Sequence, residues 1–482
     1  MKTTDITLIK QRAVSGVLAL ISRTFLLQVI SFIAAGVLLP AFLSPTEYGV
    51  FFIVSAAANF FAYFSDVGLA AALIQKKETV TEEDLRTTFT IQEILVVSLV
   101  LIINLIAPTL GRWYKLSPDG ILLLRVLSLG LFFSSLKTIP AVILERNLNF
   151  KRLIIPQIAE NLIFNSCVVI LAWQGWGIRS FTVAVFFQGL IGAVLMYLIS
   201  PWRVGFAFNI KALKNLLKFG LPYQTNTFLA VVKDDLMIGF LGGVVGPAGM
   251  GFLGWAQKWA SMPLRIFMDN ITKVAFPAYS RLQDDKIALR KAIESSLFFL
   301  AFFIFPLSVG IALISRPLVF LIPRYLKWEP ALIPLYLYCF GAAFSVISTP
   351  LTTTLNAIGK IKVTLKLMIM WTVLTWAITP FLALRFGFLG AAFAAGIIAP
   401  SSLIPVFVLK RYLDFSLWKN IRLPLFSAIF MGAVVGFLLN SRPLTAISLT
   451  VSIIIGGLIY LGTITFFAKD RLIGAKRLFT VK

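Results

Sequence analysis

Long apolar runs separated by short polar segments dominate this chain. Runs of eighteen or more largely apolar residues recur along its whole length, and that length allows an α-helix to cross the hydrocarbon core of a bilayer. We predict fourteen membrane helices, at 13–39, 48–75, 88–108, 121–143, 153–173, 179–200, 219–243, 251–276, 292–314, 331–355, 363–384, 388–409, 422–440 and 444–467.

Composition excludes a water-soluble protein. Of the 482 residues, 59% are hydrophobic and 13% are charged, whereas soluble domains carry about 25% charged residues. Cys167 and Cys339 lie far apart in separate apolar runs, and the chain has no histidine. We therefore expect neither a disulfide framework nor a metal site. The first apolar run, 13–43, is too long for a signal-peptide core and is interpreted as a retained helix.

The net charge of +24 is spread along the connections and does not form one basic patch. The connections on the side of both termini hold 29 Lys and Arg residues, and the opposite connections hold 8. This bias places both termini in the cytoplasm and favours an even number of helices. The basic charge is thereby explained by topology, and no nucleic acid partner is expected.

A weak internal repeat appears at an offset near 202 residues. Pro45 and Gly49 match Pro247 and Gly251, and both sets follow the first helix of a predicted six-helix group. We predict a six-helix lobe at 1–218, a second at 219–411, and two further helices with a basic tail at 412–482. In transporters built from such parallel repeats, the substrate lies at the interface between the halves.

Several ionisable residues fall inside the predicted spans, where each costs about 2.5–3.5 kcal/mol on insertion scales and so points to an interior or a function. The deep set comprises Arg23, Asp66, Lys137, Glu160, Lys233, Asp234, Asp235, Lys258, Arg265 and Asp269. We infer a hydrated cavity with cationic points at Arg23, Arg265 and Lys258. A guanidinium suits phosphate because it donates two parallel hydrogen bonds. The four aspartates and Glu160 would balance this charge or bind a coupling cation.

The alternative is that these charges pair with one another and only lock helices together. The candidate pairs are Lys233 with Asp234 or Asp235, and Arg265 with Asp269, since charges inside a membrane commonly pair. Lys137 is interpreted as extending its side chain to the cytoplasmic edge of the membrane. Glu93 is interpreted as lying near a helix end, where exposure of the carboxylate to water costs little free energy.

Several segments resemble the bacterial polysaccharide repeat-unit flippases of the multidrug/oligosaccharidyl-lipid/polysaccharide exporter superfamily. They are LLPAFLSPTEYGVF (38–51), FSDVGLAAALIQKKETVTEEDLRTTF (64–89), ILERNLNFKRL (143–153), KFGLPYQTN (218–226) and DDLMIGFLG (234–242). The resemblance implies two six-helix bundles around a V-shaped cavity, with two extra helices at the C-terminus. It also implies transport of undecaprenyl-diphosphate-linked oligosaccharide from the inner to the outer leaflet of the bacterial cytoplasmic membrane.

Within this resemblance, Asp66 and Asp234 match aspartates of the family, whereas Lys233 and Asp235 stand where relatives often have neutral residues. Lys233 is kept as a further candidate for contact with the diphosphate. No cofactor is expected, and coupling to H⁺ or Na⁺ stays open. A polysaccharide polymerase is a candidate partner.

Three other classes of membrane protein are alternatives to a flippase. A cation-coupled multidrug or small-molecule exporter would share the fold, and only the loop motifs and the motif at 234–242 argue against it. A membrane glycosyltransferase or polymerase would need catalytic acids outside, yet the first external loop offers only Glu47. An ATP-driven pump is excluded because the pair Gly359-Lys360 lacks the other residues of a phosphate-binding loop.

Overall fold

The computed structural model describes residues 24–76, 78–210, 213–214, 217–218, 228–441 and 443–480, with side chains as far as residue 467. This part of the chain is almost entirely helical and contains no β-strand. Eleven helices in it are long and apolar enough to cross a membrane. The predicted all-α membrane class is confirmed.

The predicted number of helices is compatible with this finding. Two of the eleven, Phe228–Arg281 and Ile361–Lys410, are 54 and 50 residues long, which is about twice what one crossing needs. Each contains a glycine in the left-handed region, Gly246 (φ 71°) or Gly387 (φ 60°). Both glycines lie where the sequence predicts a connection between two helices.

The chain divides by its internal contacts into two compact units. Unit 1 comprises Met1–Gly254 and Ala383–Phe388, and unit 2 comprises Trp255–Leu382 and Leu389–Lys482. These units are defined by contacts within the folded chain, whereas the lobes predicted at 1–218 and 219–411 are defined by a sequence repeat. The predicted lobes therefore stay a prediction.

The helices are longer than the predicted spans at most ends. In unit 1 they are α1 (Thr24–Phe42, with a π-helical part at Phe32–Leu38), α2 (Pro45–Ala62), α3 (Leu69–Gln75), α4 (Glu82–Trp113), α5 (Pro118–Leu136), α6 (Thr138–Arg146), α7 (Phe150–Trp173) and α8 (Ile178–Ile199). Helix α9 (Asp235–Pro263) begins in unit 1 and ends in unit 2.

Unit 2 continues with further helices. They are a π-helical turn (Leu264–Met268), α10 (Asp269–Arg281), α11 (Lys286–Leu321), a 3₁₀ segment (Pro323–Ala331), α12 (Leu332–Ala357), α13 (Ile361–Ile398), a 3₁₀ turn (Ala399–Leu403), α14 (Ile404–Lys410), α15 (Leu417–Ser441) and α16 (Ala446–Thr480). Its core lies where α11 packs against α12 and α15, and it includes the buried side chains of Ile293, Leu297, Ile304, Leu351 and Ala428.

The predicted helix 48–75 is wrong as a single element. The backbone leaves the helical region at Val67 (φ 49°) and Gly68 (φ 75°), which separates α2 from α3. Asp66 stabilises the break because its Oδ1 accepts a hydrogen bond from the Ala70 amide at 3.0 Å. Aspartate and glycine are residues that favour a helix boundary, and the apolar residues on both sides hide this signal.

Arg146 ties two of the motif segments together. Its Nη1 donates to the carbonyls of Leu73 (2.6 Å) and Lys76 (2.9 Å), and its Nη2 donates to that of Glu78 (3.2 Å). The last carbonyls of a helix have no partner within the helix. A positively charged guanidinium at that end also interacts favourably with the negative end of the helix dipole. Arg146, at the end of α6, therefore caps α3.

The two connections that match in the repeat lie against each other inside unit 1. A Cβ added to Gly49 would overlap the backbone carbonyl oxygen of Pro247, and one added to Gly251 would overlap that of Pro45. Each repeat therefore supplies one glycine and one proline carbonyl. Only glycine permits so close an approach of two backbones.

We expect Gly49→Ala to lower the thermal unfolding midpoint of the detergent-solubilised protein. The added methyl group meets backbone atoms, which cannot move aside as a side chain can, and overpacking of this kind costs about 1–3 kcal/mol or more. The matched control is Gly310→Ala in α11, where a Cβ meets no atom within 4 Å. Equal midpoints for the two variants would contradict the close backbone contact.

Arg146→Ala should also destabilise the protein, because four carbonyl contacts are lost at the end of α3. Hydrogen bonds to charged groups contribute about 1.5–3 kcal/mol each when a partner is removed. The measurement is protease susceptibility of the loop 76–81, with Arg152→Ala as the control. An unchanged cleavage rate would show that Arg146 does not hold this loop.

Candidate functional site

The candidate charges divide between the two units. Unit 1 holds Asp66, Glu160 and the run 233–235, and unit 2 holds Lys258, Arg265 and Asp269. Arg23 lies outside the described residues. A hydrated cavity lined by charges from both halves therefore stays a prediction.

The charges at the start of α9 form a local pair. Lys233 Nζ lies 2.7 Å from Asp234 Oδ1, and these side chains are 29% and 61% exposed. Asp235 instead accepts a hydrogen bond from the Asn59 side chain on α2. The pairing that the sequence offered as an alternative is therefore present for Lys233 and Asp234, which leaves Lys233 engaged by a carboxylate.

Arg265 is held less tightly. Its Nη1 lies 4.0 Å from Asp269 Oδ2, at the limit of an ion pair, and its side chain is 63% exposed. Such loose and exposed pairs contribute little. Arg265 belongs to the π-helical turn Leu264–Met268, and π-helical turns occur frequently at functional sites. Lys258 lies seven residues earlier and interacts electrostatically with Arg265, so the two cations lie near each other.

Glu160 forms a half-buried ion pair with Lys137. Lys137 Nζ lies 2.7 Å from Glu160 Oε1, and the side chains are 16% and 15% exposed. Gly192 on α8 makes room for the pair, since a Cβ there would overlap the Glu160 carboxylate. The interpretation that Lys137 reaches the cytoplasmic edge is therefore not needed, because it has a partner on α7.

Asp66 lines a separate polar cavity in unit 1. This cavity has a volume of about 230 Å³ and lies between the α2–α3 turn, α4, α5 and the start of α6. Apart from Asp66, its polar lining consists of Ser65, Gln92, Ser134, Ser135 and Thr138. Asp66 therefore occupies a place where it serves both as a helix cap and as a cavity carboxylate.

Glu93 is the residue that the sequence interpretation missed. Its side chain was expected to be exposed near a helix end, yet it is 8% exposed, and both carboxylate oxygens are buried without a hydrogen-bond partner. Ser135 is adjacent, but its hydroxyl donates to the Phe132 carbonyl at 2.8 Å. The signal that could have identified Glu93 is that α4 begins at Glu82, six residues before the predicted span, which places Glu93 three turns into the helix.

Metal-binding side chains do not gather within the described residues, which contain no group of three or more His, Cys, Asp or Glu side chains. The described residues contain cationic side chains that suit an anion, such as Arg265, and single carboxylates among neutral oxygen atoms, such as Asp66.

Known proteins share both sequence and fold with the chain. It is 24% identical over 365 residues to an uncharacterized membrane protein in the cps region of Klebsiella pneumoniae, covering 74% of this chain and 73% of that protein. It is 23% identical over 322 residues to the lipopolysaccharide biosynthesis protein WzxC of Escherichia coli K12, covering 64% and 63%. The match therefore spans just under two thirds of WzxC.

The fold is that of a solved transporter. The structure of the lipid II flippase MurJ in an inward closed conformation superposes with a TM-score of 0.76 at 19% identity, covering 94% of this chain and all of MurJ. Together with the membrane helices, this shows the fold of a multi-span membrane protein. The sequence profile of the family described as polysaccharide biosynthesis protein matches residues 38–330, and the chain belongs to that family.

The Lys137–Glu160 pair yields a prediction about stability. Lys137→Met alone should destabilise the protein by about 3–5 kcal/mol because a half-buried carboxylate loses its partner, whereas the double variant Lys137→Met/Glu160→Met should recover much of this loss. The measurement is the unfolding midpoint of each single variant and of the double variant. Additive losses would show that the two side chains do not depend on each other.

Proposed function

We propose that the protein is a flippase that moves undecaprenyl-diphosphate-linked oligosaccharide repeat units from the inner to the outer leaflet of the bacterial cytoplasmic membrane. This step serves the synthesis of a polysaccharide such as O-antigen, capsule or exopolysaccharide. Both termini would lie in the cytoplasm. Membership of the polysaccharide biosynthesis family carries this proposal, and the MurJ-like fold supports it.

The exposed guanidinium of Arg265 supports a diphosphate as the charged part of the substrate. Its contact with Asp269 is long at 4.0 Å, so little is lost when the guanidinium turns to a phosphate. Phosphate oxygens accept two parallel hydrogen bonds from arginine, and Lys258 adds a second positive charge nearby. Lys233, in contrast, would first have to leave Asp234 at 2.7 Å.

In the proposed cycle, Arg23 and Arg265 attract the diphosphate in an inward-open state while the lipid tail stays in the bilayer. The glycan crosses through a hydrated path between the lobes. An inside-negative membrane potential drives negative charge outward, and the two charges of the diphosphate gain about 2.3 kcal/mol per charge per 100 mV. Alternating access of this kind needs no ATP.

The deciding experiment is deletion of the gene followed by mass spectrometry of lipid-linked intermediates, with an impermeant probe to assign the leaflet. Complete repeat units retained on undecaprenyl-diphosphate in the inner leaflet are the expected result. Normal intermediates with new sensitivity to cationic drugs would replace the proposal with a multidrug exporter. Complete units in the outer leaflet would indicate a polymerase.

Complementation of this deletion tests Arg265. Arg265→Ala should reduce polysaccharide export at least about tenfold, as expected for loss of a charge-assisted phosphate contact, and Arg265→Lys should be intermediate because lysine lacks the planar fork. Arg23→Ala is tested in parallel. The control is Arg179→Ala, which removes an exposed arginine paired with Asp119. Full export by both Arg23→Ala and Arg265→Ala would refute the cationic cavity.

A further inference from the structure

A non-helical segment, 201–209, follows α8 and lies along the first turns of α4 in unit 1. The Ala207 amide donates to Thr90 Oγ1 at 3.1 Å, and the Asn209 amide donates to Thr87 Oγ1 at 3.3 Å. The Asn209 side chain completes the attachment, because its Nδ2 donates to Glu83 Oε1 at 2.9 Å. These hydrogen bonds determine which side of the segment faces α4.

Every second side chain of this segment is turned away from α4. Gly205 lies so close to α4 that a Cβ there would be 2.7 Å from Arg86 Nε. The side chains between the covered positions are large and apolar, and more than half of each is exposed; they are Val204, Phe206, Phe208 and Ile210. Alternation of this kind is typical of an extended chain with two different faces. We refer to these four side chains as the apolar row.

The apolar row continues the apolar surface of a membrane helix. The segment begins directly after α8, a candidate span whose last turns expose Val194 by 51% and Leu198 by 73%. It is attached to α4, which is 32 residues long and begins with Glu82, Glu83 and Asp84. A helix of that length spans about 48 Å, which exceeds the hydrocarbon core by about 18 Å. We therefore infer that the charged first turn of α4 lies in water and that the row lies at the membrane boundary.

Basic side chains flank the apolar row. The stretch 199–218 contains four Lys or Arg residues and neither Asp nor Glu. Arg203, Lys214 and Lys218 among them are exposed. Leu213 and Leu217 pack against a buried cluster of unit 1, which leaves the adjacent lysines on the outer side. The stretch therefore presents positive charge next to its apolar side chains.

The acidic side chains nearest to this stretch already have partners. Asp84 Oδ2 lies 2.7 Å from Lys76 Nζ, and Glu82 Oε2 lies 3.7 Å from Arg86 Nε. Glu83 accepts the hydrogen bond from Asn209. The positive charge of the stretch is therefore available to an anion from outside the chain.

We propose that the stretch 201–218 is a docking surface for anionic phospholipids, in the leaflet next to which the termini are predicted to lie. The apolar row enters the boundary between headgroups and acyl chains, and Arg203, Lys214 and Lys218 contact the headgroup phosphates. Large apolar side chains beside Lys and Arg suit such a surface. The hydrogen bonds to α4 hold the row in place before lipid binds, which lowers the cost of ordering. This surface does not depend on the proposed transport activity.

Fluorescence quenching measures the contact in the full-length protein without any substrate. One environment-sensitive fluorophore is attached at Phe206→Cys, Phe208→Cys or Glu78→Cys, in a protein that also carries Cys167→Ser and Cys339→Ala. The nanodiscs consist of phosphatidylcholine with a minor fraction of lipid that is spin-labelled high on its acyl chain. We expect strong quenching at positions 206 and 208. The control at Glu78, whose side chain is 83% exposed in the loop 76–81, should be quenched weakly.

The preference for anionic lipid is measured at position 208. Quenching by spin-labelled phosphatidylglycerol is compared with quenching by spin-labelled phosphatidylcholine. The triple variant Arg203→Ala/Lys214→Ala/Lys218→Ala should lower this preference at least about tenfold, because each basic residue near an anionic surface contributes about fivefold. High salt should act in the same direction without any substitution. Arg112→Ala, which removes an exposed arginine at the other end of α4, should leave the preference unchanged.

Two results would overturn the proposal directly. One is quenching at positions 206 and 208 that is no stronger than at position 78, and the other is equal quenching by the two spin-labelled lipids before any charge is removed. Shielding of positions 206 and 208 from the spin labels that increases with the number of protein copies in a nanodisc would overturn it as well, since a second copy would then cover the apolar row.

Discussion

A hydrocarbon interior offers no partner to a polar group, and this constraint determines most of what the chain does. Backbone amides must bond within their own helix, which explains the long helices and the absence of strands from the described residues. Where a helix breaks, a side chain or a local turn takes the place of water: Arg146 does so at the end of α3, and Asp66 does so at its start. Charged side chains follow the same constraint, since Lys137 and Lys233 each lie 2.7 Å from a carboxylate.

The membrane class could be predicted because it depends on a feature that recurs over many residues, the long apolar run. The connections placed near Gly246 and Gly387 were correct because an apolar run of about fifty residues must turn back, and glycine is where it can. The break at Val67–Gly68 was missed because it lies within a run of suitable length, and hydropathy averages over a window that hides one turn. Long-range contacts of a side chain with the backbone, such as that of Arg146 with the Leu73 carbonyl, leave no mark on periodicity.

The candidate charges were found by their type, whereas their partners depend on the packing of helices. The sequence offers Lys233 with Asp234 or Asp235, and Arg265 with Asp269, as candidate pairs, and contacts of Lys233 with Asp234 and of Arg265 with Asp269 are present. Glu160 with Lys137 joins two helices, so no spacing rule could indicate it. The predicted span 88–108 begins too late, which puts Glu93 near a helix end instead of three turns into the helix. Neutral groups such as Gln92 escaped notice because the sequence does not reveal which of their atoms lack a partner.

The reciprocal contact of Gly49 with Pro247 and of Gly251 with Pro45 has the form of a two-fold contact between identical surfaces, in which residue i meets residue j and j meets i. Equal roles on both sides are expected if the chain arose by fusion of two copies of one ancestral subunit that paired through this segment. The contact would then be older than the covalent link between the copies. It also follows that neither copy can change here alone: a larger residue accepted in one must be accommodated by the backbone of the other.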